Sequence, residues 1–256
     1  MNPFDLSGKV AVVTGSTKGI GRSMAEHLAR AGAAVVISSR KADACDAVAD
    51  AIRAEGGRAA AIPCHVGREE ELHRLVAETE RQLGPIDVLV CNAAANPYYG
   101  PLLDAGDDAY HKTLDTNILS ILQLCRRVVP GMAQRGGGSV IVVSSIGGIR
   151  ATPGLGLYQI SKAADLALVR ALALEWGPRN VRVNSILPGL VKTDFARALW
   201  ETPDAEARTK ARFPLNRLGE PDDIGPAAVF LAGPAGAWMT GQQLIIDGGT
   251  TVGSLR

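Results

Sequence analysis

The chain has 256 residues, 27 of them basic and 26 acidic, for a net charge of +1, and 46% are hydrophobic. That is enough for one large domain or two small ones with a sizeable core. No block of like charge points to nucleic acid or an anionic membrane surface, and no apolar run reaches the roughly 18 residues of a membrane-spanning helix.

Aromatic residues make up only 4% of the chain, so alanine, valine, leucine and glycine must fill the core. Cys45, Cys64, Cys91 and Cys125 show no paired or metal-ligand spacing and read as buried thiols of a reducing compartment. Residues 1–9 are polar and lead directly into a strand, so no signal peptide is expected. The terminal Ser254-Leu255-Arg256 does not match a peroxisomal address, and a cytoplasmic location is expected.

In chain order, residues 9–14 (KVAVVT) are a β-branched run bounded by glycines and predict a buried strand. The turn Gly15-Ser16-Thr17-Lys18-Gly19-Ile20-Gly21 follows, then a helical pattern over 22–31 and a strand over 35–38. Together these make a βαβ unit. The alternation continues with helices over 42–55 and 69–83 and strands over 59–63 and 86–91. One long helix is expected over 107–132, a strand over 139–143, a second long helix over 157–176 and a strand over 181–187. Residues 191–213 are less regular, and a helix over 221–231 and a strand over 243–246 close the pattern. Continuous apolar strands alternating with helices predict an α/β, Rossmann-type, doubly wound parallel sheet of seven strands with helices on both faces. No composition break divides the chain, so a single domain over 1–256 is expected.

Two stretches carry chemistry. Ser144-Ser145 is followed by Tyr158 and Lys162, the latter one helical turn beyond the tyrosine. A lysine cation beside a phenol lowers its pKa from about 10 toward working pH, as a general acid/base needs. An isolated Tyr-x-x-x-Lys is equally an ordinary helix surface pair, but only Tyr158 of the four tyrosines has a lysine at that spacing. In the first βα turn, glycines at 15, 19 and 21 let the backbone turn sharply and approach a pyrophosphate at a helix N-terminus. The second strand ends in Ser39-Arg40-Lys41 with no carboxylate for a ribose hydroxyl. Arg40 suits a 2′-phosphate, with Lys18 as a second charge, so NADP(H) is preferred to NAD(H). The alternative is that Arg40 and Lys41 form a solvated turn.

With these residues in order, nearly the whole chain resembles the single-domain short-chain dehydrogenase/reductase family. The matching strings are Thr14 to Gly21, Asn92-Ala93-Ala94, Asn117, Ser145, Tyr158, Lys162, Asn184, Pro188-Gly189, Thr193 and Asp247-Gly248-Gly249. Cys91 and Ala94 depart from the family's Asn-Asn-Ala-Gly segment. His65 stands where the family often has an aspartate toward the adenine; it is either a partial substitute, with Val66 supplying backbone contact, or a turn residue without a role. Strings such as Ser38-Ser39-Arg40-Lys41 and Cys64-His65-Val66-Gly67 look like the NADP-dependent carbonyl and retinal reductases of the dehydrogenase/reductase member 4 type.

The resemblance implies a tetrad. Ser145 polarises the substrate oxygen, Tyr158 exchanges the proton, Lys162 lowers the tyrosine pKa and holds the nicotinamide ribose, and Asn117 positions a water. Pro188, Gly189, Val191 and Thr193 would border the nicotinamide. No metal set emerges from the histidines.

The substrate pocket is placed at Tyr98, Gly147, Ile149, Leu155, Gln159, Phe195, Leu199 and Trp200, beyond the carboxyl ends of the strands. Its apolar character favours an uncharged ketone, aldehyde or secondary alcohol, with Arg150 and Arg197 as the residues that argue against it; the aromatics are equally the packing of a lid. Alternatives in the family are a 3-oxoacyl-thioester reductase or an NAD-dependent secondary-alcohol dehydrogenase. An epimerase or dehydratase needs a longer C-terminal region, and a non-enzymatic cofactor-binding protein has no need of the tetrad. The two long helices carry surplus small and apolar residues, so a homotetramer built through them is expected.

Overall fold

The computed structural model describes residues 2–253, so the reading of Ser254-Leu255-Arg256 lies outside the described residues. Strands β1 (Val10–Thr14), β2 (Ala34–Ser38), β3 (Arg58–Ala61), β4 (Val88–Cys91), β5 (Gly138–Val143), β6 (Val181–Pro188) and β7 (Gln243–Ile246) form one sheet in the order β3-β2-β1-β4-β5-β6-β7. Every pairing is parallel. This is the doubly wound, Rossmann-type arrangement, and its order reverses between β1 and β4. Connections leave those two strands toward opposite faces, which opens a crevice at their carboxyl ends.

Residue alternation sorts the core into two layers. Ala11, Val13, Val35, Ile37, Val88 and Val90 face helices α1 (Gly19–Arg30), α2 (Ala42–Ala54) and α8 (Pro221–Ala232). Val12, Val36, Leu89, Val140, Val142 and Val183 face α3 (Glu69–Gln82), α5 (Ser120–Gln134) and α6 (Gly156–Trp176). With both faces covered, the strands need no polar side, which is why they read as unbroken apolar runs.

Two regions differ from expectation. The helix predicted over 107–132 is interrupted: α4 (Asp107–Leu114) passes through one π-helical stretch, Asp115–Leu119, before α5. Such a bulge widens one turn and re-aims its side chains, here Asn117. Apolar periodicity cannot report it, since the surrounding turns keep their spacing. Residues 191–213 fold into a short 3₁₀ helix (Asp194–Leu199) and α7 (Pro203–Lys210).

Candidate active site

The site begins where β5 ends. Ser144 and Ser145 follow the strand, and the chain turns through a 3₁₀ stretch, Ile146–Gly148. A side chain at Gly148 would place its Cβ 2.7 Å from the Lys162 carbonyl oxygen, so glycine here is what lets α6 lie against the turn. The Ser144 hydroxyl donates to that same carbonyl at 2.9 Å. Ser145 accepts the Gly147 N–H at 2.9 Å, and its hydroxyl lies near enough to the Tyr158 phenol to favour the phenolate. The Lys162 ammonium donates to the Val143 carbonyl at 2.9 Å and to the Asp165 carboxylate at 3.0 Å, 5.7 Å from the centre of the Tyr158 ring. Ser145, Tyr158 and Lys162 are thus brought together.

The electrostatics differ from the sequence expectation of a lowered tyrosine pKa. Burial pushes the Tyr158 phenol above its ordinary value; Lys162 pulls the other way, Asp165 adds to the rise, and the Ser145 hydroxyl opposes it. Burial works against the Lys162 ammonium, but Asp165 and then Tyr158 outweigh it and hold its pKa above the usual value. Burial raises Asp165, with Lys162 opposing. Lysine charge that would act wholly on the phenol is shared with a carboxylate.

Asn117 is fully buried in the π-helical stretch. Its Oδ1 accepts the Ala95 N–H at 2.7 Å, and its Nδ2 donates to the Ala95 carbonyl at 3.0 Å and to Ser161 Oγ at 2.9 Å. Ser161 in turn donates to the Tyr158 carbonyl at 2.7 Å. Both Nδ2 protons and Oδ1 are therefore engaged on protein groups. The side chain thereby ties the loop after β4 to the turn of α6 that carries Tyr158.

The glycine loop lies across the crevice. Gly15 and Gly19 have φ of +66° and +55°, a region that disfavours other residues. A Cβ on Gly21 would run into Asn92 Nδ2 and the Gly15 carbonyl. Asn92 Nδ2 donates to the Thr14 and Gly15 carbonyls at 2.9 and 3.1 Å, while Thr14 Oγ1 accepts the Asn92 and Ala93 N–H groups. Asn92 therefore staples the loop to the end of β4, and Ala93 and Ala94 follow it, partly buried. Helix α1 has no side-chain cap and no acidic residue in its first turn, so its leading amides beside Thr17 and Ile20 remain open to an anion. A dinucleotide's pyrophosphate fits this cradle.

Other expected cofactor residues divide. Ser16 is fully buried: it spends its hydroxyl on the Val13 carbonyl and the Ser38 N–H, and its own N–H donates to the Ser38 carbonyl at 3.1 Å. Arg40 is exposed at the end of β2 and makes no ion pair among the described residues, whereas Ser39 packs its hydroxyl 3.4 Å from Cys45 Sγ. Lys18, expected as a second charge on the same phosphate, pairs at the surface with Asp194 at 3.0 Å. His65 accepts the Gly67 N–H on Nδ1 at 3.1 Å, closing its own turn, and Val66 packs on the core. The Gly189 N–H donates to Ile246 at 2.9 Å, setting Pro188-Gly189 against the last strand, and Val191 is buried beyond it. The Thr193 methyl would lie 3.0 Å from a Cβ on Gly19, so that segment starts against the glycine loop.

Of the residues expected at the substrate, Phe195 sits beside Tyr158, with its ring 5.9 Å from that of the tyrosine and 57% exposed. Ile149 and Leu199 are exposed, and the Trp200 indole N–H is buried without a partner. Tyr98 donates to the Pro101 carbonyl at 2.8 Å. Gln159 donates to the Arg150 carbonyl at 3.2 Å, and its side chain lies along Gly147; the Leu155 carbonyl accepts the Gln159 N–H. Both cations that argue against an apolar pocket are engaged: Arg150 on the Thr250 carbonyl and Arg197 on Asp194. Sequence reasoning missed Asp165 and Ser161. The available signal was an acidic residue three positions after Lys162 on a helix face that continues with Leu166, Val169 and Ala173.

Comparison with known proteins agrees with this geometry. The family model described as enoyl-(acyl carrier protein) reductase matches residues 15–251. The dehydrogenase/reductase SDR family member 4 of Pongo abelii is 44% identical over 245 residues, covering 96% of this chain and 88% of that protein. A 7α-hydroxysteroid dehydrogenase, solved with NADH and 7-oxo glycochenodeoxycholic acid, superposes with a TM-score of 0.92 at 37% identity, covering 96% of both chains. A gluconate 5-dehydrogenase from Burkholderia cenocepacia, solved with NADP and tartrate, gives a TM-score of 0.93 at 31% identity and 98% coverage of each. The chain belongs to the short-chain dehydrogenase/reductase family, as an oxidoreductase of alcohol and carbonyl substrates of the member 4 type.

Proposed function

We propose that the protein interconverts an uncharged, mainly apolar ketone or aldehyde and its alcohol, using NADP(H) in preference to NAD(H). The observation that carries the reaction is the convergence of Ser145, Tyr158 and Lys162 beside the glycine loop. The nicotinamide supplies or takes the hydride when bound. In reduction, Ser145 donates a hydrogen bond to the carbonyl oxygen and Tyr158 gives that oxygen its proton as negative charge develops there. The Lys162 ammonium stabilises the phenolate left behind. In oxidation the same phenolate removes the alcohol proton.

Arg40 supports the cofactor preference, since it is free to grip a 2′-phosphate and no carboxylate ends β2. The apolar substrate class is supported by Phe195 beside Tyr158 and by the engagement of Arg150 and Arg197 elsewhere. A panel of apolar carbonyls, alcohols and hydroxy acids, run with NADPH and NADH, tests both choices. Arg40→Ala is expected to raise the KM for NADPH roughly tenfold or more, the scale of a lost charge-assisted hydrogen bond, with NADH little changed. Preference for NADH, or for a hydroxy acid of the kind gluconate represents, overturns the corresponding choice.

We also propose a homotetramer. Leu103 before α4, Tyr110 on it, Leu119 beyond it, and Ile160 and Leu174 on α6 are apolar and exposed, as are Trp238 and Ile245 near the open edge of β7. Mass measured by light scattering tests it, and a monomeric mass is incompatible with it.

A further inference from the structure

Beneath the catalytic tyrosine lies a carboxylate that the proposed reaction does not use. Asp165 and Lys162 are buried, with side chains 0% and 3% exposed, and they meet at 3.0 Å. The second carboxylate oxygen, Oδ1, is also buried and makes no hydrogen bond; Ser144, engaged on the Lys162 carbonyl, is a donor within reach of the group. A carboxylate is not placed in such a site cheaply, because burying a charge is unfavourable unless it is paired. Its partner is the ammonium, which is fixed from the other side by the Val143 carbonyl.

We propose that Asp165 is a positioning residue of the reaction: the built-in counter-ion of Lys162, clamping the ammonium below Tyr158 and making the buried catalytic pair part of a net neutral cluster. This rests on the reading of Tyr158 and Lys162 as the acid/base pair. The titratable groups facing the cluster are Tyr158, Lys162 and Asp165 on α6, Cys91 at the end of β4 and, against Cys91, Cys125 on α5. Burial keeps both thiols protonated, Cys125 pushed up to about 12 and Cys91 well above its ordinary value. Only the α6 triad therefore carries charge at working pH.

The consequence follows from charge alone. With Asp165 ionised, loss of the first proton from the Tyr158–Lys162 pair takes the cluster from neutral to −1. With asparagine at this position the same loss takes it from +1 to neutral. Removing a negative charge makes proton loss easier however the proton is divided between phenol and ammonium. Asp165→Asn therefore makes the tyrosine ionise at lower pH, against the intuition that breaking an ion pair on the catalytic lysine disables the base.

The first readout needs neither cofactor nor substrate. The phenolate absorbance of Tyr158 is titrated as the difference between each protein and its Tyr158→Phe counterpart, for wild type and for Asp165→Asn, with circular dichroism to verify folding. A midpoint at lower pH in Asp165→Asn is expected, together with an acid limb of alcohol oxidation displaced the same way. Coincident curves, or a midpoint moved upward, overturn the proposal. Should asparagine not fold at this position, Asp165→Ser, smaller and neutral, carries the same comparison. Full activity of Tyr158→Phe would instead refute the acid/base reading, a result separate from the titration.

Discussion

The wall carrying Ser145, Tyr158 and Lys162 and the segment 190–213 opposite it differ in how their side chains are held. On the wall, a strand end, a glycine contact at 148 and buried hydrogen bonds through Ser144, Ser161 and Asn117 position each group. In the segment, Val191 and Phe213 are buried and anchor the two ends, whereas between them Phe195 and Leu199 are exposed on a short 3₁₀ helix that meets the glycine loop through the surface ion pair Lys18–Asp194. Buried, directional contacts hold a geometry, whereas exposed ion pairs contribute about 0–1 kcal/mol each. We propose on this ground that reaction type resides in the wall and substrate choice in the exposed middle of the segment.

The contrast can be broken by substitution on either side. Tyr158→Phe removes the proton donor while leaving the ring, and turnover is expected to fall by about 10²- to 10⁴-fold with the melting temperature nearly unchanged. Steady-state kinetics beside a thermal melt check this, and comparable loss from any lid substitution contradicts the division. Gly148→Val tests the wall's packing instead. Its Cβ meets the Lys162 carbonyl, so a loss of roughly 1–3 kcal/mol in denaturant unfolding is expected, with activity falling alongside.

Phe195→Ala should behave differently, raising KM for apolar substrates by less than about tenfold, the scale of one partly exposed aromatic contact, with kcat nearly retained. An equal fall in kcat and kcat/KM places Phe195 with the wall. The smallest effect concerns Glu206 on α7, whose carboxyl hydrogen bonds from Lys192 and Lys210 hold down to about 2 from an ordinary 4.5. A folded pKa below the unfolded one means that this contact stabilises fully above the ordinary value and is lost as pH falls through about 2. A carboxyl NMR titration should find that low midpoint, and Lys192→Met should return it toward the ordinary value with little change in global stability.

Legibility in the sequence follows the same division. The strands and the order of motifs were readable because a sheet covered on both faces demands apolar runs, and a pyrophosphate cradle demands glycines at 15, 19 and 21. The pairing of Tyr158 with Lys162 was readable because helical spacing alone puts them together. Lys18 shows the limit: no spacing along the chain reports its contact with Asp194, 176 positions away. Nor does spacing report that Tyr98 donates to the Pro101 carbonyl or Gln159 to the Arg150 carbonyl.

By itself the sequence determined the α/β class and, through its ordered motifs, the family, and it singled out the glycine loop and the side chains proposed to react. Local periodicity and backbone sterics act over a few residues, so each of these leaves a mark at short spacing. Tertiary structure alone decided that Asn117 sits in a π-helical turn tied to Ala95 and Ser161, and that Lys162 is shared between Tyr158 and Asp165. It also decided that burial raises the tyrosine pKa that the lysine alone was expected to lower. Desolvation and Coulomb interactions depend on what surrounds a group in space, and no spacing along a chain records that.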